Sequence, residues 1–170
     1  MISLKKIILL LLSIFIISGC DNTFAVTSAK QSNTEVTGYW QIPAKGSNKP
    51  SAVVKVYIKN NKLYANIVKM YPINGKPPVT YCQHCKGELR NAKFIGLPIF
   101  WNLKKEKGKW RGGKILNPKT GKTYSCTVSL TQDGKALSVR GHIGMFGVTK
   151  IWPRAVNFKE TNDSSTSADS

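Results

Sequence analysis

The chain has 170 residues, a length that fits one domain. A hydrophobic content of 41% is enough for a buried core and excludes a wholly disordered polypeptide. Lysine and arginine outnumber the acids by 26 to 8, and the formal charge of +18 excludes an acidic surface and points to anionic partners.

The chain opens MISLKKIILLLLSIFIISGC. Lys5 and Lys6 form a positive n-region, and Ile7 to Ile17 is an almost unbroken apolar h-region. The run is shorter than the roughly 20 apolar residues of a spanning helix, so residues 1–19 are predicted to be a signal peptide. Ile17-Ser18-Gly19-Cys20 resembles the lipobox of bacterial lipoproteins. That resemblance implies cleavage before Cys20 and acylation of Cys20, as with palmitate, which anchors the chain in a membrane because each buried CH2 contributes roughly 0.8 kcal/mol. The alternative is ordinary secretion with cleavage after Ala25. Both place the mature chain outside the cytoplasm. Asp21 resembles the signal that keeps enteric lipoproteins in the inner membrane, on its periplasmic side.

Export argues against nucleic acid as partner. The charge then faces anionic lipid headgroups or acidic envelope polymers. The lysines are dispersed (Lys55, Lys59, Lys62, Lys69, Lys104, Lys105, Lys107, Lys109) and read as solvated strand faces and turns. A monomer is expected.

Residues 20–35 read as the lipidated cysteine and a polar, flexible tether, 36–158 as the folded domain, and 159–170 as a disordered tail. The domain is β throughout. Val36 to Ile42 is a short strand. Ala52 to Lys59 and Leu63 to Met70 alternate in polarity around Asn60-Asn61 and form a hairpin. Tyr71 to Val79 is a proline-rich loop, and Glu88 to Lys93 is a short helical turn. Phe94 to Leu103 is an apolar strand. Trp110 to Leu116, Thr123 to Leu130, Leu137 to Ile143 and Gly147 to Arg154 complete the set, with turns at Asn117–Gly121 and Asp133-Gly134. About eight strands with tight turns predict an all-β, single antiparallel up-and-down barrel, with a β-sandwich as the alternative. Tyr39, Tyr57, Tyr64, Phe94, Phe100 and Trp101 are expected to line its interior or fill its core.

Gly38-x-Trp40 on the first strand and Trp152-x-Arg154 on the last resemble the signature of the calycin superfamily, the lipocalin-like barrels. The resemblance implies that Trp40 packs under Arg154 and closes one end. A longer set of motifs resembles an uncharacterised bacterial family of exported domains. It comprises Cys82-x-x-Cys85-Lys86-Gly87-Glu88-Leu89, then Gly112-Gly113-Lys114-Ile115-Leu116-Asn117-Pro118-x-x-Gly121-Lys122-x-Tyr124-x-Cys126, then Val139-Arg140-Gly141-x-Ile143-Gly144. The family is classed as a domain of unknown function and implies no catalytic residue. Asn117, His142 and Val148 depart from its usual Asp, Tyr and Arg.

With Cys20 lipidated, three cysteines remain. Outside the cytoplasm a disulfide is their default. Either Cys126 on its strand pairs with Cys82 or Cys85 and pins that loop to the barrel, contributing about 2–4 kcal/mol, or Cys82 and Cys85 pair and Cys126 is a buried thiol. A zinc site would take Cys82, Cys85 and Cys126 with His84 or His142. A redox pair at Cys82 and Cys85 lacks a surrounding βαβ unit.

Glu88, Glu106 and Asp133 form no carboxylate pair suited to glycoside hydrolysis. Arg140, the charged residue of an otherwise apolar strand, is a candidate to meet an anionic ligand inside the barrel, the alternative being an outward or Glu88-paired arginine. The sequence therefore reads as a non-enzymatic envelope module, without a cofactor, that binds a small apolar or anionic molecule or an envelope partner. The alternative is a thiol- or zinc-dependent enzyme centred on Cys82, Cys85 and Cys126.

Overall fold

The computed structural model describes residues 35–47 and 49–160. The predicted signal peptide, Cys20, Asp21, the tether up to residue 34 and tail residues 161–170 lie outside the described residues.

Eight strands follow in chain order: β1 Gly38–Pro43, β2 Pro50–Lys59, β3 Lys62–Met70, β4 Pro98–Glu106, β5 Lys109–Asn117, β6 Lys122–Leu130, β7 Ala136–Ile143 and β8 Phe146–Pro153. They form a single sheet in which each strand is antiparallel to the next. The sheet curls until its two edges meet. Trp40 bridges Arg154, and the Ala155 N–H donates to the Tyr39 carbonyl at 2.9 Å. Beyond that bridge, β1 pairs only with β2 and β8 only with β7, so the up-and-down barrel is nearly closed. A sandwich would need two sheets, and this is one.

Sequence periodicity sets the strands. On β6, Cys126 and Val128 point inward and are buried, while Ser125 and Thr127 face out. The β2–β3 turn uses Asn60 and Asn61 at φ 50° and 58°, the left-handed pair that matches strand twist in a two-residue hairpin. β4 departs from expectation, beginning at Pro98 rather than Phe94. Gly96 sits at φ 88° in a turn and donates its N–H to the Ile67 carbonyl at 2.8 Å, while the Phe94 N–H donates to Thr80 at 2.8 Å. The apolar run is therefore a bend followed by a strand. The expected helical turn is a 3-10 turn at Gly87–Leu89.

The interior is filled by Trp40, Leu63, Phe100, Leu103, Val128 and Leu137, all fully buried. Phe100 stacks on Trp152 with centroids 6.1 Å apart. Of the aromatics expected to line the interior, Tyr39, Tyr57 and Tyr64 instead lie on the outer face. Tyr57 and Tyr64 stack at 5.7 Å, and the Tyr64 hydroxyl donates to Asn102 Oδ1 at 2.7 Å. Their inward neighbours Val56 and Ala65 hold the core positions. The Glu160 carboxylate accepts from Tyr39 Oη at 2.7 Å and Lys55 Nζ at 2.9 Å, so contacts with the barrel run past the expected domain end at 158.

Candidate functional site

By the up-and-down topology, one end of the barrel carries both chain ends of the domain, and the other carries the β3–β4 segment with the β5–β6 turn and the β7–β8 hairpin tip. At the first end, the Arg154 guanidinium carbon lies 4.1 Å from the centroid of the Trp40 ring. Trp40 Nε1 donates to the Val36 carbonyl at 3.0 Å. Arg154 donates to the carbonyls of Glu35 (2.8 Å) and Thr37 (3.3 Å), while its Nε has no partner. Trp152 is buried against Phe100, and Gly38 starts β1 at φ 121°. This plug is apolar and cationic.

At the other end, Cys82 and Cys85 are bonded to each other, and both are buried. The Cys82 sulfur lies 3.7 Å from the Pro118 carbonyl oxygen. Gly121, at φ 66°, allows the β5–β6 turn to touch the His84 carbonyl, where any Cβ would overlap backbone. The two longest sequence motifs thus dock on each other. Between them runs an open groove of about 480 Å3. Lys86, Gly87 and Leu89 line one wall and Leu116, Lys122 and Tyr124 the other. No acid lines it.

The pairing corrects the staple from Cys126 to the loop. Cys82 and Cys85 meet at the turn, while Cys126 points into the barrel between Gly113 and Gly141 on the neighbouring strands. A bond spanning a sequence separation of 3 restricts the unfolded chain less than the longer staple, at about 2 kcal/mol. The pairing also corrects the zinc set. Its first two thiolates are spent on each other, and among the described residues no group of three or more His, Cys, Asp or Glu could hold a metal ion. His84 is exposed, and His142 Nε2 lies 3.0 Å from Thr127 Oγ1 on the outer face.

Burial pushes the Cys126 thiol up to about 12, against a smaller downward pull from Lys114. With its partners disulfide-bonded and this proton held, the three cysteines offer no thiolate near neutrality. The native thiol stays neutral where the unfolded thiol, near 9.0, ionises. Its stabilisation is complete below pH 9 and is lost as pH rises toward 12. Urea midpoints should therefore fall more steeply over that window in the wild type than in Cys126→Ala. An equal fall in both would contradict it.

The family model of uncharacterised proteins conserved in bacteria, DUF2147, matches residues 38–154. The chain belongs to this family. The match runs from Gly38 to Arg154, the span of the barrel itself. None of the curated proteins matches the chain. Among solved structures, the DUF2147 domain is similar to protein HP1028 from Helicobacter pylori, described as belonging to the lipocalin family. The identity is 26%, the TM-score is 0.60, and the likeness covers 73% of this chain and 85% of that one. The barrel is lipocalin-like.

Arg140 does not enter this barrel. It is exposed, donates to Thr149 Oγ1 at 3.2 Å and lies over Gly147, because the inward positions of β7 are Leu137 and Val139. The DUF2147 domain also tolerates its departures locally. Asn117 Oδ1 accepts from the Lys119 N–H at 3.1 Å, an acceptor role that Asn and Asp share. Val148 is exposed. The groove is hidden in the sequence because Leu116 lies on the outward face of β5, where it meets the loop residues Lys86, Gly87 and Leu89 only as shared lining of the groove.

Proposed function

We propose that this chain is a non-enzymatic binding module of the bacterial cell envelope, and that its site is the groove between the disulfide loop and the β5–β6 turn. The supporting observation is that residues of the two motif segments surround this groove, with Lys86 and Lys122 at its walls and no carboxylate among its lining residues. Two cations beside apolar Leu89 and Leu116 suit a small anion with an apolar part, a carboxylate or phosphate monoester. A lipocalin-like fold and a family without assigned chemistry fit a binder. In this reading Cys20 carries the lipid that holds a monomeric barrel to the membrane on its periplasmic side, with Asp21 keeping it at the inner membrane. The intact mass of the exported chain tests the anchor.

Calorimetric titration with inorganic phosphate and with a medium-chain fatty acid tests the groove. Each charge-assisted contact contributes about 1.5–3 kcal/mol, so K86Q/K122Q should weaken binding by at least about tenfold. Unaltered affinity in the double variant would overturn the assignment.

A further inference from the structure

At the opposite end from that groove, the outer face of the sheet carries a row of cations set by strand register. Lys59 on β2 faces Lys62 on β3, Lys62 faces Lys104 on β4, and Lys104 faces Arg111 on β5. Lys59, Lys104 and Arg111 are exposed, and Lys62 is half-buried. Adjacent strands stand about 4.8 Å apart, so the row extends roughly 15 Å across four strands. Among the described residues none of the four is in a salt bridge. The one ion pair among the described residues joins Lys55 to Glu160, and the nearest acid along β4, Glu106, stands two residues on from Lys104 on the same face, opposite Lys109. The stacked Tyr57 and Tyr64 lie beside the row on the same face.

Like charges placed directly opposite one another on a sheet oppose folding. The sequence reading of these lysines as scattered, solvated positions misses that register aligns them. We propose that this row is a docking track for a linear phosphate-bearing polymer of the envelope. Register sets its residues on adjacent strands, one strand spacing apart, an arrangement that complements a chain of anions. Three of the four are lysines, compact point donors that suit tetrahedral phosphate oxygens, and Arg111 ends the row with a planar fork. Binding removes the mutual repulsion that the free barrel carries. This site is independent of the groove.

The test uses the exported chain and inorganic polyphosphate, titrated over a range of NaCl concentrations. K62Q/K104Q should weaken binding more than about tenfold near 0.1 M salt, and the slope of log K against log salt should fall by about 1.4. The same variant should raise the urea midpoint of the free protein, since it relieves repulsion, and leave orthophosphate binding at the groove unchanged. The charge-matched variant K76Q/K135Q, off the row, should keep polymer affinity within about twofold. Equal loss in both variants means that net charge alone binds and overturns the proposal. So does a lowered urea midpoint in K62Q/K104Q, which means the lysine stems are structural. Row-dependent binding of polyglutamate in place of polyphosphate, or of phosphatidylglycerol vesicles with no polymer binding, overturns it as well.

Discussion

Trp40→Ala is expected to lower the free energy of unfolding by about 3–5 kcal/mol, the range for removing a large aromatic from a core. Trp40 has no exposed surface, so its loss leaves a cavity at the point where β1 and β8 meet. The effect is compounded by its partner. The Arg154 guanidinium rests on the indole face, and its Nε is already unpartnered. Without the ring that cation faces a void. Arg154→Lys separates the contributions: it keeps the charge but loses the planar face and the paired donation to Glu35 and Thr37. A smaller loss, about 1–2 kcal/mol, is expected there. Urea unfolding followed by circular dichroism measures both. A cost below about 1 kcal/mol for Trp40→Ala would show that the two edges are held elsewhere.

Gly121→Ala is expected to cost about 2–4 kcal/mol, from two sources. The added Cβ must adopt a left-handed backbone, which costs on the order of 1 kcal/mol or more, and it must also push away the His84 carbonyl. Gly108→Ala is the control. Gly108 has φ 75° but open space around it, so it should show the conformational cost alone, about 1–2 kcal/mol. The excess at Gly121 reports the docking of loop on turn. Displacing the loop should also expose the buried Cys82–Cys85 bond, so dithiothreitol should reduce it faster in Gly121→Ala than in Gly108→Ala. Equal behaviour of the two variants would mean that the loop does not lean on the turn.

Much of the barrel was legible because local chemistry and long-range pairing agree. Alternation from Thr123 to Leu130 names its own inward face, and Asn60-Asn61 supplies the left-handed turn its hairpin needs. Phe94 to Leu103 misled because its outer face is covered too. Ile99 is buried like Phe100, so periodicity is lost and the bend at Gly96 is hidden in an apolar run. The cysteine pairing was undecidable from spacing. It depends on Cys126 pointing into the barrel while the other two sulfurs settle on the turn beside Pro118. The groove and the cation row share one reason for their invisibility. Both are made by residues far apart in the chain that only register and loop docking bring together.

The bond from Arg154 to the Glu35 carbonyl and that from Ala155 to Tyr39 put the beginning and the finish of the domain side by side. The order in which the eight strands are synthesised is then a matter of history rather than necessity. A rearranged gene that fuses these neighbours with a short glycine-serine linker and starts translation between Gly46 and Ser47, in the open β1–β2 connection, specifies the same barrel. It would also leave out residues 1–34, so that the groove and the cation row can be assayed on the folded body by itself.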